Sequence, residues 1–490
     1  MLCTTGAETT VEALAARLES VDGVHEVRLD HLDANGFDAV WALLARHAPR
    51  VLLCCRPVRE GGRYAGDEAT RLALLLRGAA AGVRYVDVEG DVPDDAVGTL
   101  DPARLVRSHH RFTPTDDPAS LVAVARALAA RRGAVTKLAV AVSDAAHLDA
   151  LRGVREAIGG DAVLIGMGPA GLLSRARYRS FGSVWTYVAA DAGRATAPGQ
   201  YDVAAAHHQG LPHAADAPFA ALVGGPQVLA SPGPRVYPPL FARLGLSARS
   251  YLPVITTDLD RALPLLREVG AVGLSVTMPL KAEAAARAAR QDPAVVALGV
   301  ANSLRWRDST GWEATNTDVV GVTAPLTDRV APGARALVMG AGGAAAAAVE
   351  AARQLGLTVA VSARRFDAAA RLAARWAPAG AVTAVPWAER TATELALLIN
   401  ATPLRGAATS PWPDDGTRLP ARLVFDLALG GDAATSADTL LYRQAKAAGA
   451  SYLEPEAMWR AQGAAQIGWF FDCDVPASAL ALASETGRGS

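Results

Sequence analysis

Val135-Thr136-Lys137-Leu138-Ala139-Val140-Ala141-Val142 is an apolar run with one cation inside it, followed by a helical pattern over Ala145–Ile158 and a second apolar run at Ala162–Met167. Runs this short and this apolar predict parallel strands buried on both faces, with the intervening segment as a crossover helix. The same unit recurs outward in both directions. Further strands are expected at Met1–Thr5, Val24–Asp30, Val51–Arg56, Val83–Glu89, Leu105–His109 and Ser183–Val188, with amphipathic stretches such as Thr10–Glu19, Asp67–Ala80 and Pro118–Arg131 between them. Eight strand–helix units in about 220 residues predict an α/β protein that opens with a (β/α)8 TIM barrel. A doubly wound open sheet is the competing arrangement, because periodicity does not encode closure.

The whole chain has 490 residues, enough for roughly three domains of about 150 residues. Hydrophobic residues make up 51% and aromatics only 6%, a small aliphatic mixture suited to helices packed on buried strands. Lys+Arg 48 against Asp+Glu 49 leaves a net charge of -1, which argues against a nucleic-acid or anionic-membrane partner. Met1 to Arg17 lacks the basic and apolar regions of a signal peptide. The longest uncharged run, Ala217 to Pro234, is broken by four prolines and cannot be a membrane helix. Cys3, Cys54, Cys55 and Cys473 have no metal-ligand spacing and read as reduced thiols. No metal is expected, and the expectation is a cytoplasmic enzyme whose self-association is left open.

Within the barrel pattern the polar residues gather at strand ends. Glu26 and Arg28 lie in the second strand, Arg56 and Glu60 at or just past the third, His110 at the end of the fifth, Lys137 inside the sixth. Arg175 follows the seventh, and Thr196 and Gln200 follow the eighth. A barrel converges such positions on one mouth, here one suited to a small anion. Period-two alternation places Val135, Lys137, Ala139 and Ala141 on one face. An apolar setting with small neighbours is expected to lower the lysine pKa, and a neutral amine can attack a ketone to form an imine. A strand-end lysine reaching solvent is the alternative. His110 is expected to titrate near neutrality and carry protons, with Glu60 orienting it.

The ordered segments Glu26-Val27-Arg28-Leu29-Asp30, Cys55-Arg56-Pro57-Val58-Arg59-Glu60-Gly61-Gly62, Ser108-His109-His110-Arg111-Phe112, Thr136-Lys137-Leu138 and Ala197-Pro198-Gly199-Gln200 resemble type I 3-dehydroquinate dehydratase over about residues 1–222. The resemblance implies a covalent imine at Lys137, proton transfer by His110 assisted by Glu60, and positioning of the substrate by Glu26, Arg28 and Arg56. Its carboxylate would lie on Arg175, Thr196 and Gln200. Thr196 stands where that family usually has serine, and His109 takes the variable position beside the catalytic histidine.

The second half has a different pattern. Around Ala215 to Pro234 the chain becomes Pro/Gly/Ala-rich, which suits a domain boundary, and a βα pattern is expected to resume near Val254. Ala336-Leu337-Val338-Met339-Gly340-Ala341-Gly342-Gly343-Ala344-Ala345 reads as strand, glycine turn and helix, with Gly340, Gly342 and Ala345 at G-x-G-x-x-G/A spacing. Such a turn lets a pyrophosphate approach backbone amides at a helix start. The next strand, Leu357 to Ser362, ends in Ala363-Arg364-Arg365 rather than an acid, which favours a 2′-phosphate and hence NADP.

With Ser275-Val276-Thr277-Met278-Pro279-Leu280-Lys281, Asn302-Ser303, Asn316-Thr317-Asp318, Asn400-Ala401-Thr402-Pro403-Leu404, Phe425-Asp426, Thr439-Leu440-Leu441 and Gln462, this half resembles shikimate dehydrogenase over about residues 223–490. The resemblance implies a two-lobed unit with an NADP-binding Rossmann domain. Lys281 and Asp318 would be its catalytic pair, and Ser231, Thr277, Asn302 and Gln462 its contacts to an alicyclic carboxylate substrate. Gly340, Ala341, Gly342, Gly343, Ala344, Arg364, Arg365, Asn400 and Thr402 would hold NADP. The expected domains are 1–222, 223–330 completed by helices at about 455–485, and 331–454.

Three positions depart from the family. Its Ser-x-Ser pair is Ser231-Pro232-Gly233 here, its tyrosine after Asp426 is Leu429, and its asparagine two residues before Thr277 is Ser275. Each buried substrate group left without a partner would cost about 1–3 kcal/mol. The main expectation is a bifunctional enzyme that dehydrates 3-dehydroquinate and then reduces 3-dehydroshikimate with NADPH. The alternatives are a dehydratase fused to a quinate or other cyclitol dehydrogenase, and a non-catalytic metabolite sensor.

Overall fold

The computed structural model describes residues 1–480 apart from 34–36, 116, 212, 214, 247–249, 377–381, 392–393 and 430–434. The chain forms two compact units, Met1–Leu280 and Lys281–Ser490.

The first unit opens with eight parallel strands: β1 (Leu2–Thr5), β2 (Val24–Arg28), β3 (Val51–Cys54), β4 (Tyr85–Glu89), β5 (Leu105–Arg111), β6 (Val135–Ala141), β7 (Asp161–Met167) and β8 (Thr186–Ala189). They pair in the order β7-β6-β5-β4-β3-β2-β1-β8. A doubly wound sheet reverses direction about its first strand, so pairing in chain order excludes that alternative. The ring is completed between β7 and β8 by an isolated bridge, Ala162 to Ser183, where Val184 N donates to Ala162 O at 2.9 Å. Helices start where aspartates can cap them. Asp67, Asp117, Asp144 and Asp202 each accept from amides of the first turn that follows, satisfying donors the helix itself leaves open. Val135 and Ala139 of β6 pack with Leu52, Val106, Val163 and Trp185 in the barrel interior, so Lys137, between them at period two, points inward as well.

The chain then continues with β9 (Phe219–Gly224), β10 (Tyr251–Ile255) and β11 (Ala271–Val276), parallel and with β9 between the other two. Here the structure corrects the sequence reading, since the βα pattern resumes at Phe219 rather than near Val254. All six residues of β9 are buried. Pro218 and Pro226 flank the strand instead of interrupting it, and a flanking proline marks strand ends, not a linker.

The second unit contains β12 (Arg290–Gln291), β13 (Ser303–Arg307) and β14 (Gly311–Thr315), the last two an antiparallel hairpin. A six-stranded parallel sheet follows: β15 (Arg335–Met339), β16 (Thr358–Ser362), β17 (Val382–Ala384), β18 (Leu395–Asn400), β19 (Ala421–Asp426) and β20 (Ser451–Leu453). Its order, β17-β16-β15-β18-β19-β20, is that of a dinucleotide-binding sheet, with the switch point beside β15. The Ala-rich helix Gly343–Gln354 packs on it through eight consecutive buried residues, Ala345–Ala352. A long helix, Pro455–Phe471, follows β20; positions 481–485 of the expected C-terminal helices lie outside the described residues. No helix of the described residues is long and apolar enough to cross a membrane. Cys3, Cys54 and Cys55 are buried free thiols, and Cys473 is half-buried.

One ion pair of the barrel wall lies wholly out of solvent: Arg71 Nη1 reaches Glu89 Oε2 at 2.7 Å, with both side chains 0% exposed. Removing one partner of a buried pair strands the other charge. Arg71→Met is therefore expected to lower unfolding free energy by about 3 kcal/mol in urea denaturation, and a loss under about 1 kcal/mol would show that the pair carries little.

Candidate active sites

The C-terminal ends of the barrel strands open on one cavity. Glu26, Arg28, Arg56, Glu60, His110, Lys137, Arg175, Thr196 and Gln200 all line it, so the structure brings together every residue the sequence placed at the barrel mouth.

Lys137 sits 4% exposed, its Nζ 2.8 Å from Asp87 Oδ2 and 3.4 Å from Glu26 Oε1. The Tyr187 ring lies beneath it, with the centroid at 4.4 Å. This corrects the expected apolar setting. Burial alone would drive the amine's pKa down, but Asp87, Tyr187 and Glu26 outweigh it and the shift is upward. The resting lysine is an ammonium ion. Asp87 is held well below the usual carboxylate range, against its own desolvation, by Arg56 and Lys137.

That pair belongs to a larger buried network. Arg56 donates to Asp87 Oδ2 at 2.9 Å, to Glu89 Oε1 at 2.9 Å and to Ser108 Oγ at 2.8 Å. Ser108 Oγ donates to Asp87 Oδ1 at 2.5 Å. Asp30 in turn fixes Arg28, accepting at 2.9 and 2.7 Å.

His110 is likewise not the expected neutral-range titrator. Desolvation, Arg56 and Lys137 push its pKa down to about 3, against the pull of Glu60. Glu60 Oε2 accepts from the His110 backbone N at 2.7 Å and from Nδ1 at 2.9 Å. A carboxylate accepting at Nδ1 fixes the proton there and leaves a lone pair on Nε2. Glu60 itself is held down at about 2, its desolvation outweighed by His109 and His110.

Arg175 is the exception to the pairing. It is 2% exposed, its Nε has no hydrogen-bond partner, and its one hydrogen bond among the described residues goes to Pro198 O at 3.4 Å. Desolvation pushes its pKa down to about 10. Beside it, Thr5 Oγ1 lies 2.7 Å from Thr196 Oγ1 and accepts from Gln200 Nε2 at 3.2 Å. A buried cation lacking an anion next to hydroxyl and amide donors makes a receptor for a carboxylate.

Asp87, Ser108, Tyr187 and Thr5 were missed by sequence reading. A signal existed for the first: Asp87 and Glu89 alternate in Tyr85-Val86-Asp87-Val88-Glu89, two acids on one face of a strand too apolar to be exposed.

In the second unit, Lys281 Nζ is 2.6 Å from Asp318 Oδ2. Asn302 Nδ2 donates to Asp318 Oδ1 at 2.8 Å, and Asn302 Oδ1 accepts from Thr317 N at 2.9 Å. Asn316 caps helix Thr317–Leu326 by accepting from Asp318 N, which fixes the carboxylate at the helix start. Thr317 Oγ1 donates to Gln462 Oε1 at 3.3 Å.

A separate cavity in this unit is lined by Gly340, Ala341, Gly342, Arg364, Arg365 and Thr402. Gly340 has φ +122°, and a Cβ there would meet Ala401 O at 2.6 Å, so the turn demands glycine. Gly343, Ala344 and Asn400 do not line this cavity. Asn400 is fully buried, bonded to Asp426 Oδ1 at 2.9 Å, and accepts from Thr402 N at 3.0 Å; it holds the Thr402 loop.

The departures at 233 and 275 share one cause within the first unit. Tyr251 O–H donates to Ser275 Oγ at 2.6 Å, and a Cβ at Gly233 would lie 2.7 Å from Tyr251 Cε1. A serine at 233 and this tyrosine rotamer exclude each other. Ser231 Oγ accepts from Gly233 N at 3.3 Å, Thr277 N donates to Val223 O at 3.0 Å, and Leu429 is 60% exposed.

The family described as type I 3-dehydroquinase matches residues 2–209. The chain is 37% identical over 282 residues to the shikimate dehydrogenase (NADP(+)) of Anaeromyxobacter dehalogenans, covering 55% of this chain and 96% of that protein. It is 35% identical over 199 residues to the 3-dehydroquinate dehydratase of Syntrophobacter fumaroxidans, covering 38% of this chain and 80% of that one. To the bifunctional 3-dehydroquinate dehydratase/shikimate dehydrogenase of Arabidopsis thaliana it is 25% identical over 376 residues, 71% of this chain and 61% of the plant protein. The chain therefore belongs to two families at once, the type I 3-dehydroquinate dehydratases, matched over residues 2–209, and the shikimate dehydrogenases.

Proposed function

We propose that this chain catalyses two consecutive reactions, dehydration of 3-dehydroquinate to 3-dehydroshikimate and NADPH-dependent reduction of that product to shikimate. The observation that carries the first is the cavity in which Lys137, His110 and the unpaired Arg175 meet. Arg175, Thr196 and Gln200 hold the substrate carboxylate, while Glu26, Arg28 and Arg56 orient the rest of the ring.

The ammonium of Lys137 first gives up a proton to solvent as substrate enters, since only the neutral amine is a nucleophile. The amine then adds to the ketone carbon and, with a proton taken back at the carbinolamine oxygen, water leaves, forming the iminium. The iminium withdraws electrons from the adjacent C–H bond, so Nε2 of His110 removes that proton. Protonated His110 returns it to the departing β-hydroxyl, which leaves as water, and a second water then hydrolyses the iminium, freeing 3-dehydroshikimate and restoring the Lys137 ammonium.

For the second reaction the glycine turn Gly340–Gly342 would receive the pyrophosphate of NADP, and Arg364 with Arg365 the 2′-phosphate. Thr402, supported by Asn400, would border the same ligand. Bound there, NADPH supplies the hydride for ketone reduction. Lys281 donates to the carbonyl oxygen and delivers its proton. Asp318 keeps Lys281 aimed through their hydrogen bond, and Asn302 fixes the carboxylate. Ser231, Thr277, Asn302 and Gln462 are the proposed substrate contacts. The same proposal takes the domains as expected from sequence, 1–222, 223–330 with about 455–485, and 331–454, with the first boundary moved back to 218/219 so that it does not split β9, in a cytoplasmic protein. A quinate or other cyclitol dehydrogenase is not favoured, since the curated relative at 37% identity is a shikimate dehydrogenase.

Borohydride added with dehydroquinate is expected to fix substrate mass on the Lys137 peptide. An unlabelled Lys137 in fully active enzyme would sink the imine mechanism. Histidine-selective 15N NMR, with His110 assigned among nine histidines by the His110→Asn variant, is expected to show a neutral Nδ1–H imidazole from pH 7 down to pH 5; a midpoint near 6.5 would overturn the assignment. Finally, Asp318→Asn is expected to cut NADPH-dependent reduction by about 100-fold or more while borohydride labelling of Lys137 stays at wild-type level.

A further inference from the structure

Along the C-terminal edge of the second unit's parallel sheet, neighbouring strands deliver their loops in spatial order. Thr402 follows β18, the Gly340–Gly342 turn follows β15, Arg364 and Arg365 follow β16, and Trp387 follows the edge strand β17. All of them line the same cavity. Adjacent strands lie about 4.8 Å apart. A dinucleotide whose pyrophosphate rests on the glycine turn, and whose ribose phosphate meets the two arginines, must carry its base one strand further out. That position belongs to Trp387.

The indole is built to stay in place. Arg390 covers one face, its guanidinium carbon 4.1 Å from the ring centroid. That guanidinium is fixed by donating to Pro411 O at 3.0 Å and to the Trp387 carbonyl. Ala363 and Ala368 are among the side chains that line the same cavity, small enough to leave room for a flat ring. Aromatic stacking on a rigid indole suits a purine and needs no hydrogen-bond code.

We propose that Trp387 is the stacking platform for the purine of the dinucleotide, clamped from behind by Arg390. The proposal rests on the NADP reading of this unit and adds to it a residue that no glycine or arginine motif announces. Trp387 makes affinity depend on the base, whereas Arg364 and Arg365 make it depend on the phosphate.

The test is isothermal titration of the full-length chain with 2′,5′-ADP, which carries purine and 2′-phosphate but no nicotinamide, and with reduced nicotinamide mononucleotide, which carries no purine. Trp387→Ala is expected to weaken 2′,5′-ADP about tenfold or more and to leave the mononucleotide unchanged, with Trp387→Phe retaining most of the affinity. Quenching of tryptophan fluorescence by 2′,5′-ADP is expected in the wild type and largely lost in Trp387→Phe. That second readout decides the matter if Trp387→Ala fails to fold. Equal 2′,5′-ADP affinity in wild type and Trp387→Ala, or equal quenching in wild type and Trp387→Phe, overturns the stacking role. A wild type that binds neither NADPH nor 2′,5′-ADP instead overturns the NADP reading on which it rests.

Discussion

An ammonium ion buried against a carboxylate, Lys137 on Asp87 at 2.8 Å, is the constraint around which the barrel mouth is arranged. Removing a charge from water costs several kcal/mol unless partners replace the solvent, so each further charge here brings another. Arg56 answers Asp87 and Glu89, and Arg71 answers Glu89 from the helix behind. Strands β2 through β6 are held in register by this lattice as well as by their backbone ladder. The same field sets the protonation states. Acids keep Lys137 charged against its desolvation, and desolvation together with the cations Arg56 and Lys137 keeps His110 neutral. Acid and base roles follow from position in one electrostatic network rather than from the intrinsic habits of lysine and histidine.

The two sites meet the same problem of holding reactive charge in different ways. In the barrel the network is almost fully desolvated and closes on itself, with Arg175 standing apart from it among the described residues. In the second unit the Lys281 and Asp318 side chains are 27% and 15% exposed. Their geometry comes from neutral groups, the Asn302 amide and the helix start capped by Asn316. Partial hydration makes that pair cheaper to hold, and the neutral amides supply the direction that burial supplies in the barrel.

Much of this was legible in the sequence because period and spacing report backbone geometry. Eight short apolar runs gave the barrel, and alternation alone turned Lys137 inward. The glycine turn and Arg364-Arg365 marked the cavity of the second sheet. What sequence spacing does not encode is which side chains meet across strands. The lysine was expected to be neutral because its neighbours along β6 are small and apolar, but its partners come from β2 and β4. Strand β9 is masked in the sequence by the prolines that flank it, which resemble a linker. The glycine at 233, where the family has serine, faces Tyr251, eighteen positions later, whose ring fills the volume such a side chain needs. Trp387 carries no motif at all; its place emerges only from strand order.

The isolated bridge that joins β7 to β8 divides the barrel mechanically. From β1 round to β7 each strand has a continuous ladder to its neighbour, and the ammonium, its carboxylates and the neutral imidazole all stand on that unbroken arc. Arg175, Thr196 and Gln200 follow β7 and β8, the two strands that flank the seam. The residues proposed to take the carboxylate thus follow the two strands with the sparsest backbone pairing between them, while those proposed to act on bonds stand on the continuous arc.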